Sequence, residues 1–516
     1  MDLLIKIPML VVFFGIMIGI GIYCKKNATN VDGFVLGGRS VGPWLTAFAY
    51  GTSYFSAVVF VGYAGQFGWK YGIAATWVGI GNALIGSLVA WAILGRRTRV
   101  MTQHLGSATM PQFFGKRFDS NGLKIASSAI IFIFLIPYTA SLYNGLSRLF
   151  GMAFNIDYSV CVIAMAIITA VYVIVGGYMA TALNDFIQGI IMIVGIIAVI
   201  CAVLKGQGGF AEAFTALGQV SDPAVSGNPG MFNSLFGPDP KNLLGVVILT
   251  SLGTWGLPQM VQKFYAIKSE KAINKGMLIS TLFALVVAGG CYFLGGFGRL
   301  FADRVDVATE GFDAIIPAML SDLSPFLISV VVILVLSASM STLSSLVLTS
   351  SSTLTLDFIK GNLAKKMDEK KQLLSIRLLI VVFILISVVL ALIQYNSNVT
   401  FIAQLMGISW GALAGAFLAP FLFGLYWKKT TKIAVWTSFL FSAVVMLSNI
   451  LFPQCFPTLL RSPINAGAFC MLAGLILVPV VSLFTKKPDA DHIRQVFSCY
   501  DSTIIDYIEY TKEVNP

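Results

Sequence analysis

Between Ser337 and Ser345 an otherwise apolar run carries Ser337, Ala338, Ser339, Ser341, Thr342, Ser344 and Ser345 in close succession. On a helix, positions 338, 341, 342 and 345 share one stripe, so that stripe can set hydroxyl oxygens beside a backbone carbonyl. Neutral hydroxyls and carbonyls are hard donors, and a sodium ion that has lost its water needs about five such oxygens. Serine and threonine also join membrane helices to one another. That explanation is enough for any single serine here; the cluster, taken with the broken segments below, points to an ion.

Two apolar segments look built to unwind. PWLTAFAYGTSYFSAVVFVGYAG places Gly51, Thr52 and Ser53 at its centre, and LLGVVILTSLGTWGLPQMVQKF does the same with Gly253, Thr254, Gly256 and Pro258. Glycine costs about 1 kcal/mol in a helix interior and proline about 3 kcal/mol, so such stretches free carbonyls to line a cavity. Each carries Gly-Thr followed by an aromatic residue, and the two lie roughly 200 residues apart, the arrangement of an inverted repeat whose broken helices meet at a midplane site. Among the acidic residues only Asp185 falls within an apolar segment, one residue after its expected start. An ionisable group there is a functional candidate, or else a helix N-terminal carboxylate favoured by the macrodipole.

Other chemistries lack their residues. Seven cysteines are widely scattered, and His104 and His492 both lie in polar segments, so no transition-metal site or disulfide framework is expected. One lone acid supplies no paired-carboxylate centre, and no nucleophile, base or metal cluster enters a span, so an enzyme is not expected. No G-x-x-x-x-G-K-[ST] motif offers a nucleotide site, and no cofactor is expected beyond Na+ as a coupling ion.

These residues must be positioned by helices. The chain has 516 residues, 57% hydrophobic and 11% charged, too apolar for a water-facing surface. Its long continuous runs predict an all-α integral membrane protein with thirteen transmembrane helices, near 4–24, 43–66, 72–94, 125–150, 157–176, 184–204, 242–264, 276–300, 323–350, 373–394, 398–424, 431–451 and 464–485. The net charge of +11 is unevenly distributed. One set of connections collects Arg96, Arg97, Arg99, Lys263, Lys268, Lys271, Lys365, Lys366, Lys370 and Lys371 among others, whereas the opposite set has only Lys6, Lys70, Arg148, Lys205, Lys241, Arg299, Arg304 and Arg461. The basic side is cytoplasmic by the positive-inside rule. The N-terminus is then external, the tail cytoplasmic, and the net charge serves orientation in the inner membrane rather than nucleic-acid binding.

Three stretches resemble the sodium/solute symporter family, nearest its sodium/proline branch: LGGRSVGPWLTAFAYGTSYFSA at 36–57, VGGYMATALNDFIQG at 175–189 and SASMSTLSSL at 337–346. The likeness extends from about residue 30 to 430. It implies a LeuT-like core of a five-plus-five inverted repeat working by alternating access. It also implies a principal sodium site from Thr52, Phe55, Ala338, Ser341 and Thr342, and a second from Asp185, Ser341, Ser344 and Ser345. In the sodium/proline branch the second span carries an aspartate where this chain has Tyr54, and the seventh a tryptophan and a tyrosine where it has Thr250 and Thr254. Ser56 and Tyr138 keep the branch identities. The solute is expected among Ser56, Tyr138, Thr250, Thr254 and Trp255, with Gln404 and Trp410 as further candidates.

The expected organisation is an extra first helix at 1–30, a first repeat at 43–204, an external loop at 205–240, a second repeat at 241–424, two additional helices at 425–485 and a cytoplasmic tail at 486–516. The expected function is sodium-coupled import of a small organic solute, an amino acid or short carboxylate, with lipid, solute and sodium as partners. A proton-coupled or passive carrier and a membrane sensor are the alternatives.

Overall fold

A computed structural model describes residues 2–154, 157–223, 225, 227–397 and 402–501. Met1, residues 155–156 within the expected first repeat, 224 and 226 of the expected loop, 398–401 at the start of the expected eleventh span, and 502–516 of the expected tail lie outside the described residues.

The described chain is helical throughout, with one isolated bridge pairing Val41 with Ile267. The long elements are α1 (Asp2–Cys24), α2 (Pro43–Tyr54), α3 (Val58–His104), α4 (Asn121–Phe154), α5 (Tyr158–Gly206), α6 (Pro240–Gly256), α7 (Pro258–Ala266), α8 (Lys271–Gly295), α9 (Pro325–Thr353), α10 (Glu369–Ser397), α11 (Ile402–Tyr426), α12 (Lys432–Leu451) and α13 (Pro463–Phe484). Proline sets the first turn of α2, α6, α7, α9 and α13, where its missing N–H is not needed. Asp239 and Ser324 add side-chain caps to α6 and α9.

Among the described residues, ten helices are long and apolar enough to cross a membrane, or eleven if α6 and α7, bent by 44° at their junction, count as one span. The expected thirteen are therefore not all seen as separate helices. The shortfall has a local cause. α3 and α5 run for 47 and 49 residues, roughly 70 Å of helix against a hydrocarbon core of about 30 Å. Each contains a glycine in the left-handed region, Gly72 at φ 61° and Gly177 at φ 56°. At Gly177 a Cβ would stand 2.9 Å from both the Phe34 ring and its carbonyl oxygen, so only glycine makes that turn.

α9 is the central element. Every residue from 334 to 353 is buried, and the helix packs against α5, α4, α10, α1 and α2. Hydrophobic side chains of α1 and α10 remain outward, as lipid-facing helices require.

Candidate functional site

α2 ends at Tyr54, and Phe55 turns extended at φ −84°, ψ 122°, before α3 begins. The last carbonyls of α2 thus have no helical partner, and they carry the negative end of its dipole. The serine-rich face of α9 meets them. Ser341 Oγ donates to Thr52 O at 3.2 Å and to Ala338 O at 3.1 Å. Thr342 Oγ1 lies 3.2 Å from Thr52 O, 3.3 Å from Phe55 O and 3.1 Å from Ala338 O. Three carbonyls and two hydroxyls are thereby brought together through contacts of 3.1–3.3 Å. Oxygens about 3.4 Å apart are the spacing that a cation with oxygen distances near 2.4 Å imposes on its neighbours. Neither hydroxyl proton can serve all the carbonyls that it approaches. The donor set fits a dehydrated monovalent cation.

The other expected cation position is differently furnished. Asp185 does not sit at a helix start: it lies about two turns beyond the break at Gly177, completely buried, and neither of its oxygens has a hydrogen-bond partner among the described residues. Ser344 Oγ donates to Ser341 O at 3.0 Å. Ser345 Oγ stands 2.9 Å from Ser53 Oγ and accepts from Lys263 Nζ at 3.0 Å. The same ammonium is 3.9 Å from Asp185 Oδ2 and 5.1 Å above the Tyr178 ring. Lys263 was expected among the cytoplasmic loop lysines; instead it is 1% exposed and lies within α7. The sequence signal was present, because Lys263 is followed by the apolar Phe264, Tyr265, Ala266 and Ile267.

The expected solute residues divide into two groups. Ser56 Oγ, Tyr138 OH and Trp410 Nε1 are all buried, and the Tyr138 hydroxyl faces both the Ser56 hydroxyl and the Trp410 indole N–H without a well-formed hydrogen bond to either. Tyr138 meets Trp410 edge-on, with ring centroids 6.0 Å apart, and Tyr54 flanks the same indole at 5.7 Å. Thr250, Thr254 and Trp255 are already engaged: Thr250 Oγ1 donates to Val246 O at 2.9 Å, Thr254 Oγ1 to Gly86 O at 2.8 Å and Trp255 Nε1 to Ile85 O at 3.0 Å. Gln404 lies apart from this group, on a cavity of about 470 Å³ that is also lined by Lys70, Asp239 and Arg461. Two residues missed from the sequence join the inner group. Asn82 Nδ2 donates to Tyr54 OH, and Ser251 Oγ donates to Asn82 Oδ1 at 3.2 Å. Asn82 is the lone side-chain amide of the expected span at 72–94, which is the signal that could have found it.

The break between α6 and α7 repeats that after α2. Leu257 takes φ −77°, ψ 123°, and donates to Gly253 O at 3.1 Å, just as Phe55 N donates to Gly51 O at 3.2 Å. Gly253 also admits the indole, since a Cβ there would lie 2.5 Å from Trp410 Cε3.

Residues 34–440 match the sodium:solute symporter family. Sodium/proline symporters of Staphylococcus aureus, in strains JH9 and NCTC 8325 / PS 47, are each 32% identical over 506 residues, covering 93% of this chain and 93% of theirs. In fold, a Na+-coupled sialic acid symporter in a substrate-bound outward-open state matches with a TM-score of 0.74 at 15% identity, over 94% of this chain and 99% of that one. Mhp1, a nucleobase-cation-symport-1 family transporter in a closed conformation, matches with a TM-score of 0.50 at 13% identity, over 89% of this chain and 97% of its own. On the strength of the family match and the relatives' identity, this multi-pass membrane chain belongs to the sodium:solute symporter family.

Proposed function

We propose that the protein imports one small organic solute together with sodium, by alternating access. The observation that carries this reading is the meeting of Thr52, Phe55 and Ala338 carbonyls with the Ser341 and Thr342 hydroxyls, between a broken helix and the central helix. Sodium bound there joins α2 to α9 and stiffens the break from which Ser56 projects toward the solute. Sodium thereby raises solute affinity, and linkage makes the solute raise sodium affinity by the same factor. A membrane potential contributes about 2.3 kcal/mol per charge per 100 mV, so one sodium supports roughly fifty-fold accumulation.

Thirteen crossings follow when α3 is divided at Gly72 and α5 at Gly177, with α2 joined to the front of α3 and α6 joined to α7 as broken crossings. The matching breaks at Phe55 and Leu257 support a five-plus-five inverted repeat over 43–204 and 241–424. The lysine and arginine bias supports an external N-terminus, an external loop at 205–240 and a cytoplasmic tail at 486–516.

The solute pocket lies between Ser56, Tyr138 and Trp410, whose buried polar atoms face one another without well-formed hydrogen bonds, with Tyr54 and Asn82 closing one wall. An unpaired buried polar atom is costly, and a solute with amino, carboxylate or hydroxyl groups satisfies these. A small amino acid or short carboxylate fits, in keeping with the sodium/proline relatives. The test is thermal stabilisation of the purified protein by a solute library in sodium and in potassium, followed by uptake of each hit into proteoliposomes. Sodium-dependent uptake is expected; equal uptake in potassium would overturn the reading.

A further inference from the structure

The position expected to hold a second sodium already contains the amine end of a lysine. Asp185 from α5 and Ser345 from α9 face Lys263 from α7, whose ammonium makes a 3.0 Å hydrogen bond to Ser345 and stands 3.9 Å from the carboxylate. No part of this cluster reaches water: Asp185 is 0%, Lys263 1% and Ser345 3% exposed. Asp185 has no hydrogen bond from a protein donor among the described residues, so the lysine is the positive group that balances it. An unpaired buried carboxylate is strongly disfavoured, and removing one member of such a pair leaves the other uncompensated.

We infer that the Lys263 ammonium acts as a tethered cation in place of a second sodium, so that this carrier couples its solute to one sodium ion per cycle. This rests on the proposed sodium-coupled reading of the Thr52–Thr342 site. The physical argument is one of exclusion. A sodium ion liganded by Asp185, Ser344 and Ser345 would sit within a few ångströms of the ammonium, where two like charges in a poorly screened interior repel strongly. The ammonium needs neither import nor release, and it holds α7 to α5 and α9 whether or not solute is present. Ser345 also links this pair to the break after α2 through Ser53, so the tethered charge keeps the α9 face in register with the carbonyls of the principal site.

Removing the ammonium should reopen the second position. The Asp185 carboxylate, with the Ser344 and Ser345 hydroxyls beside it, would then be a negatively charged oxygen set in need of a cation, which is what selects sodium over a neutral occupant.

The experiment counts sodium with sodium itself as the probe. Equilibrium binding of 22Na+ to the purified full-length protein should saturate at one ion per chain with a Hill coefficient near one. Lys263→Gln should take up a second ion with sigmoidal binding, and adding Asp185→Asn to that variant should remove the second ion. Two ions bound by the wild-type chain, or a folded Lys263→Gln that still binds one, would overturn the inference while leaving sodium coupling intact. No sodium bound by the wild type would overturn the coupling itself and this inference with it. If Lys263→Gln fails to fold, the wild-type count decides: one ion supports a tethered charge in the second place, and two refute it.

Discussion

The Thr342 hydroxyl stands 3.3 Å from the Phe55 carbonyl across 287 residues of sequence. Phe55 is the extended residue that caps α2, and Thr342 is near the middle of the buried face of α9. One hydroxyl within reach of three carbonyls cannot satisfy them with one proton. The proposed sodium ion would satisfy the carbonyl oxygens that this proton leaves over.

Ser341→Ala and Thr342→Val each remove one hydroxyl oxygen from this set, and Thr342→Val keeps the buried γ-methyl. Each should raise the sodium concentration for half-maximal stabilisation by at least about tenfold, equivalent to about 1.4 kcal/mol. Melting curves across a sodium titration read this directly. Variants that keep the parent's sodium dependence would take both hydroxyls out of the ion site.

Gly253 and Trp410 make a packing prediction that is independent of ions. A Cβ at residue 253 would be 2.5 Å from the indole, and overpacking a filled interior costs about 1–3 kcal/mol. Gly253→Ala should lower the melting temperature, and the smaller ring of Trp410→Phe should restore part of the loss when the two are combined. Independent, additive losses would show that the contact does not exist.

Tyr138→Phe deletes a buried hydroxyl whose only protein neighbours are the weakly engaged Ser56 hydroxyl and Trp410 indole. Because no well-formed hydrogen bond is lost, the folded protein should stay within about 1 kcal/mol of the parent's stability. Uptake of the solute identified by the stabilisation screen should instead show a KM raised several-fold. An unchanged KM places the solute elsewhere.

Cys455 is exposed in the connection between α12 and α13. With an external N-terminus and thirteen crossings, that connection faces outward. A membrane-impermeant maleimide should therefore label Cys455 in intact cells, in a variant that lacks the other exposed cysteine, Cys201. Labelling only after the membrane is opened would invert the orientation.

Much of the site was readable because it is local. Ala338, Ser341 and Thr342 are brought together by helical spacing alone, and the unwinding at Gly51 and at Gly253 to Pro258 follows from the cost of those residues in a helix. The breaks came a few residues later than their first glycines, at Phe55 and Leu257, because the helices keep their hydrogen bonds for one more turn. Asp185 was found by its type but misplaced at a helix start, since the helix breaks at Gly177, eight residues earlier, within a continuous run and not in a polar loop.

The sequence by itself determined that the chain lies in a membrane, which helices break and which face of α9 is polar, all of which depend on composition or on residues within a few turns of one another. Only the tertiary structure decided the partners across long separations. It set Thr342 against Phe55, joined Asn82 to both Tyr54 and Ser251, and turned Thr254 and Trp255 toward carbonyls of α3. It also moved Lys263 from an apparent loop charge to the buried partner of Asp185. The reason is physical: a charge census counts residues along the chain, whereas the cost of burying a lysine depends on which carboxylate the packing of α5, α7 and α9 brings to meet it.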